Sequence, residues 1–232
     1  AAIEARGGVG VPVVCDHADD AQVAALFARV RAEHGRLDIL VNNVTAIPDA
    51  LVAHGGFWEK PLAMQAMLDV GLRSSYVASW HAAPLLIANG AGLIVNTSSF
   101  GARCYMHGPA YGAGKAAVDK MAHDMAHELR PHGVAAVSLW MGLLRTERTL
   151  AVLGAGEVSY AGLLERSESP EFPGRVIDAL ACDPNLMARS GQVLIGAELA
   201  LELGVVDIDG KQPPSFRDAL GAPTGFSRAV VE

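Results

Sequence analysis

The stretch that decides the fold reads GLIVNTSS (Gly92–Ser99), a short linker, AYGAGKAAVDKMAHDMAHEL (Ala110–Leu129), and then VAAVSLW (Val134–Trp140). The first and last pieces are short apolar runs without alternation, as strands buried on both faces read. The middle piece is helical and is expected to run to about His132, where Gly133 stops it. A strand, a helix and a second strand joined by short links describe a parallel pair covered by its crossover helix.

The same alternation continues outward. Upstream, LDILV (Leu37–Val41) is another buried strand, closed by Asn42-Asn43. Before it, Val23, Leu26, Phe27 and Val30 share one helical face, with Asp19 and Asp20 suited to that helix's start and Gly35 to its end. VPVVCD (Val11–Asp16) reads as one more buried strand. Pro61 is well placed as the first residue of a long helix. Downstream, RVIDALACD (Arg175–Asp183) is helical and GQVLIG (Gly191–Gly196) is a last strand. The expected fold class is therefore α/β, a doubly wound, mostly parallel sheet in a single domain over 1–232. Residues 142–173 break the pattern with short helical pieces and are a candidate substrate lid, carrying Leu143, Leu144, Leu150, Val152, Leu153 and Tyr160. Residues 211–232 form a tail, a coil or an ordered strap.

The chain is acidic, with a formal net charge of −7 and no block of like charge, so it lacks the basic footprint of a nucleic-acid binder. Ser74 to Ala102 holds no charged residue, but Pro84, Asn89-Gly90, Gly92 and His81 punctuate it, so a buried helix and strand are expected rather than a membrane span. The three cysteines are far apart, with no CxxC spacing, which fits a reducing, cytoplasmic setting without a disulfide framework. His123 and His127 stand one turn apart, but there is no HExxH and no evident third ligand, so no metal is expected. TSSFG is not GxSxG and no SxxK occurs, so a serine hydrolase lacks its elbow and base.

The chemistry gathers at Tyr111 and Lys115, four residues apart on one helix face. An ammonium so close to a phenol favours the phenolate and is expected to lower the Tyr111 pKa from its usual ~10, which suits acid–base work. On its own that spacing is weak, since a solvated Lys beside a half-buried Tyr gives the same pattern. Its context is stronger: Ser99 ends a buried strand twelve residues upstream, VNN ends the strand before, and MGLLRT follows the strand after. Polar and Gly residues thus collect at consecutive strand ends, where open α/β sheets bind ligands.

CD, LDILVNN, GLIVNTSS, YGAGK and GLLRT, in this order and spacing, resemble the short-chain dehydrogenase/reductase family over nearly the whole chain. The resemblance implies a Rossmann-like fold and an NAD(P)-dependent oxidoreductase interconverting a carbonyl and an alcohol. Tyr111 would be the acid/base, Lys115 would lower its pKa and hold the nicotinamide ribose, and Ser99, or else Ser98, would bind the reacting oxygen. Asp16 and His17 would meet the adenine, Asn43 and Val44 the adenosine side, and Gly142, Leu144 and Thr146 the carboxamide and phosphate side. The cofactor would be NAD or NADP, the substrate a small carbonyl or alcohol, and the assembly a homodimer or homotetramer through the long helix and the Tyr111 helix.

Three departures stand out. The family's opening β-α-β unit with TGxxxGxG is missing from this sequence, which begins near the second helix, so the expected fold is incomplete at its N-terminus. The family's active-site Asn corresponds to Gly71, which permits a helix kink and whose freed carbonyl is expected to hold a water. The usual Pro-Gly is Met141-Gly142. The rival reading is a catalytically silent scaffold or oligomer subunit of the same fold.

Overall fold

The computed structural model of the chain describes residues 3–154 and 161–231. Four parallel strands form one sheet in the order β1-β2-β3-β4. They are β1 (Ile39–Asn42), β2 (Gly92–Ser99), β3 (Val134–Met141) and β4 (Val193–Ile195). The longest pairing, β2 with β3, runs from Gly92 opposite Val134 to Ser99 opposite Met141. All four strands point the same way, so every C-terminal end lies at one edge of the sheet.

Because successive strand residues face opposite ways, β2 and β3 supply two cores. Leu93, Val95, Ala135, Val137 and Leu139 pack beneath α6 (Phe172–Ala181) and α8 (Gly196–Leu203), against Phe172, Val176, Leu180 and Leu199. Ile94, Val134 and Ala136 face the other way, onto α1 (Asp20–His34), α2 (Ser74–Asn89) and α3 (Pro109–Leu129). Alanines at 78, 82 and 126 let these helices approach closely. Asp19 caps α1, accepting from the Ala21 and Gln22 N–H groups, and Gly35 ends it with φ 69°. A short turn carries α3 on to Gly133, which takes φ 72° as the stop. No described helix is long and apolar enough to cross a membrane.

Two expected elements take a different form. VPVVCD is not a strand: Val14 is 100% exposed, Val11 and Val13 are also exposed, and the segment pairs with none of the sheet strands. A strand needs a neighbour for its N–H and C=O groups, and no described strand flanks the outer edge of β1, so the run stays extended and unpaired. The long helix from Pro61 is interrupted. Leu62–Gln65 is a single 3₁₀ turn, and Leu68–Arg73 is a π-type turn around Gly71, at φ 146° and ψ −51°. A Cβ at Gly71 would lie 2.9 Å from Thr45 Oγ1, so glycine here permits both the kink and the contact.

The expected lid region opens with α4 (Glu147–Gly154) and α5 (Ala161–Leu164), and its residues 155–160, Tyr160 among them, lie outside the described residues. The tail is an ordered strap with the short α9 (Arg217–Leu220), and Phe226 rests against His123 and beneath Lys120 of α3.

Candidate active site

The C-terminal edge of β2 and the first turn of α3 bring Ser99 and Tyr111 together, with Ser99 Oγ 2.9 Å from Tyr111 Oη. Gly101 makes this contact possible. Its N–H donates to Ser99 Oγ at 3.2 Å, and a Cβ on it would fall 2.5 Å from the Tyr111 ring. The sequence signal for this contact is the glycine of TSSFG.

Lys115, one turn on, donates from Nζ to the Thr97 carbonyl at 3.2 Å and lies 5.7 Å from the centre of the Tyr111 ring. Ser98, fully buried, donates to the Lys115 carbonyl at 3.2 Å and so ties α3 to β2. Ser99, not Ser98, is the serine in contact with the phenol.

The expected lowering of the Tyr111 pKa is reversed. Burial pushes the phenol above its ordinary value, against a smaller pull downward from the Ser99 hydrogen bond. Lys115 is itself pushed down by burial, partly countered by the negative charge of Asp119. With the ammonium turned to the Thr97 carbonyl, desolvation outweighs the spacing argument. Asp119, one turn beyond Lys115, went unnoticed in the sequence, although 111, 115 and 119 share a face. It is buried, accepting from Ser138 Oγ at 2.5 Å and from Trp140 Nε1 at 3.0 Å.

The other candidates divide between those at the sheet edge and those apart from it. Asn43 Oδ1 accepts from Thr97 Oγ1 at 3.0 Å, so Asn43 sits beside the Lys115 anchor, with the half-exposed Val44 next along the chain. Gly142, Leu144 and Thr146 follow β3. The Gly142 N–H donates to Glu168 Oε1 at 3.0 Å, Leu144 bridges to Glu168, and Thr146 Oγ1 accepts from the Thr149 N–H at the start of α4. Glu168 is a second residue that the sequence did not announce. Almost wholly buried and facing Asp207 and Arg145, it has its pKa raised by burial to about 7. Asp16 and His17 are not brought to the cluster. They end the unpaired segment, and Asp16 Oδ1 accepts from the Ala18 N–H in a local turn.

Near Gly71, the carbonyls at the kink each accept one hydrogen bond from outside the regular helix pattern. The Val70 carbonyl accepts from the Ala46 N–H at 2.7 Å, and the Gly71 carbonyl accepts from Ser75 Oγ at 2.6 Å. Among the described residues, no three His, Cys, Asp or Glu side chains gather as a metal site would need.

The donor set matches one half of a dinucleotide. A phenol, a hydroxyl and an ammonium at one strand end suit a ribose and a carbonyl-bearing ring. The start of α1 is no anion site: Asp19 accepts from the Ala21 and Gln22 N–H groups, and the Asp20 carboxylate pairs with Arg73.

A parallel sheet wound by helices, with a Ser–Tyr–Lys cluster at its C-terminal edge, defines a Rossmann-like oxidoreductase. The chain belongs to the short chain dehydrogenase family, whose model matches residues 1–153. It is 42% identical over 219 residues to human dehydrogenase/reductase SDR family member 1, covering 90% of this chain and 70% of that protein, and the mouse protein of that name matches equally. A 3-oxoacyl-[acyl-carrier-protein] reductase of Synechocystis is 28% identical, over 83% of this chain and 76% of its own. Among solved structures, a putative short-chain dehydrogenase/reductase from Burkholderia xenovorans superposes with TM-score 0.69 at 26% identity, over 83% of this chain and 74% of that one. The family works with NAD(P).

Proposed function

We propose that the chain interconverts a carbonyl and an alcohol, with Tyr111 as the acid/base. The observation that carries this reading is the 2.9 Å contact between Ser99 Oγ and Tyr111 Oη at the end of β2. A nicotinamide cofactor, NAD or NADP, supplies or accepts the hydride when bound. In reduction, Tyr111 Oη donates its proton to the substrate oxygen, and Ser99 Oγ, steadied by the Gly101 N–H, donates a hydrogen bond to the same oxygen. Burial keeps the Tyr111 phenol protonated at neutral pH, the form that donates in reduction, and makes it a weaker acid than an exposed phenol.

Lys115 would hold the ribose hydroxyls. Asn43 and Val44 would line the adenosine side, and Gly142, Leu144 and Thr146 the carboxamide and phosphate side. A place for Asp16 and His17 at the adenine rests on the family pattern. We also propose a cytoplasmic homodimer or homotetramer joined through α2 and α3. Tyr76 and Trp80, one turn apart on α2 and both more than half exposed, support that face, and three free cysteines support the reducing compartment.

The test is Tyr111→Phe in the purified chain. Turnover of carbonyl compounds is expected to fall ~10³-fold, while nicotinamide fluorescence on titration with NADPH or NADH is retained. A variant as fast as wild type would refute the assignment. If neither nucleotide bound, with or without a TGxxxGxG-bearing β-α-β unit joined ahead of Ala1, the silent scaffold would be the better reading, and Gly71 at the place of the family's Asn is the observation in its favour.

A further inference from the structure

A cavity lies beside the first turn of α3, reaching Ala110 next to Tyr111. Phe57, Leu62 and Met64 wall one side, and Tyr105, His107 and Ala110 the other. Its volume is about 150 Å³, the size at which an apolar cavity takes up benzene. Lys60 reaches the wall, but its Nζ donates to the Leu51 carbonyl at 3.3 Å. At the mouth, Phe57, Leu62 and Tyr105 are 64%, 81% and 83% exposed. Apolar side chains gathered around a cavity and left in water mark a place where an apolar ligand would be covered.

Two features join this cavity to the chemistry. Ala110 immediately precedes Tyr111 in the first turn of α3. His107 lines the cavity and touches the Tyr111 side chain, its ring edge-on to that of Tyr111 with centroids 5.0 Å apart at 88°. Among the described residues, His107 is the only non-glycine with positive φ, at 59°, an uncommon conformation for a residue with a Cβ. Burial, reinforced by Lys60, lowers its pKa, so the wall nearest the phenol is uncharged at neutral pH. With Lys60 close by, a cationic occupant is disfavoured.

We propose that this cavity is the subsite for an uncharged, phenyl-sized substituent of the carbonyl substrate, which makes aryl ketones, aryl aldehydes and benzylic alcohols the preferred class. The inference rests on the acid/base reading of Tyr111 and adds the identity of what Tyr111 protonates. The ring packs beside His107, and the carbonyl carbon attached to the ring lies toward Ser99 and Tyr111.

Binding and turnover are read separately. Saturation-transfer NMR and calorimetry with acetophenone on the purified chain measure the first. Leu62→Asp puts a charge at the mouth of the cavity, at a position exposed enough to leave folding intact, and Ala110→Leu fills the cavity with a good helix former. Each is expected to weaken acetophenone binding at least tenfold and to lower the acetophenone-to-butanone ratio of kcat/KM to a similar degree. No acetophenone signal with wild type, or an unchanged Kd in both variants, would overturn the subsite, as would a ratio that does not move. Binding that depends on Leu62, with NADPH or NADH bound but neither ketone reduced, would refute the role of Tyr111 and leave the aryl subsite standing.

Discussion

Val137, in the VAAVSLW run, is completely buried in β3 with β2 on one side and β4 on the other, whereas Val14, in the VPVVCD run, is 100% exposed and pairs with no sheet strand. The two runs are alike in composition. They differ in whether neighbours exist for their backbone groups and for both faces of their side chains. β2 and β3 bond each other along eight residues and have helices above and below. Segment 11–16 has only Cys15 packed against a core, beside α1 and α2. Ser99 and Tyr111 depend on the first environment: a hydroxyl and a phenol stay 2.9 Å apart because the strand end and helix start that carry them are fixed by the paired sheet.

The sharpest way to break the well-paired region is through Asp119. Its carboxylate accepts from Ser138 Oγ and Trp140 Nε1, both in the core. Asp119→Ala leaves Trp140 Nε1 without an acceptor and Ser138 Oγ with only its 3.5 Å contact to the Asn96 carbonyl, so a loss of about 2–4 kcal/mol in urea unfolding is expected. The same change removes the charge that holds Lys115 up against desolvation, so Lys115 should lose its proton at lower pH. A pH–rate profile of the conservative Asp119→Asn variant checks the second effect, and its basic limb should move down.

Next in size is Glu168, beneath the loop after β3. Its folded pKa of about 7 lies above the ordinary 4.5 because burial disfavours its charge. The Gly142 N–H and Arg145 oppose that rise, and Asp207 adds to it. The folded state therefore holds this proton more tightly than the unfolded chain does. Stability from that source is full below about pH 4.5 and is lost as pH rises through about 7. The span amounts to about 3 kcal/mol. Glu168→Gln keeps an acceptor for the Gly142 N–H and removes the charge, so its unfolding free energy should gain on wild type from pH 5 to pH 8. Parallel curves for the two proteins would show that Glu168 titrates normally.

Gly71 tests the kink between the two parts of the long helix. Any side chain there meets φ 146° and a Thr45 Oγ1 only 2.9 Å from its Cβ. Gly71→Ala should cost about 1–3 kcal/mol, visible as a lower Tm. An unchanged Tm would mean that Thr45 rotates away and the helix straightens.

How much of this was legible in the sequence follows from the same contrast. The runs 92–99, 134–140 and 193–195 were readable because their apolar residues meet helices of complementary pattern on both faces, and 39–41 is covered less fully, with Val41 left exposed. Asp19, Gly35 and Gly133 were readable because caps are local chemistry. The failure at Val11–Asp16 is not local: no property of VPVVCD tells whether another strand lies beside it. The site divides likewise. Ser99, Tyr111 and Lys115 could be named from spacing and context. The direction of the Tyr111 shift could not, because it depends on burial and on where Lys115 Nζ turns. Glu168 stayed hidden because its partners, Gly142, Arg145 and Asp207, come from three parts of the chain.

The smallest effect sharpens the comparison most. Val14→Ala removes two methyl groups that already stand in water, so by burial alone its cost should stay within about 0.5 kcal/mol. Alanine has lower β-propensity than valine, but that preference reflects packing on a pleated surface, and Val14 has no such surface in this fold. Cys15→Ala, one residue along, removes a side chain that does touch the second core and should cost more. Urea unfolding of both variants gives the ordering directly. A Val14→Ala cost above about 1 kcal/mol would mean that its side chain is covered in solution, so that the run is held against a neighbour as VAAVSLW is. A neutral result would leave the unpaired segment as described and locate the stability of the fold, with its Ser99–Tyr111 contact, in β2 and β3.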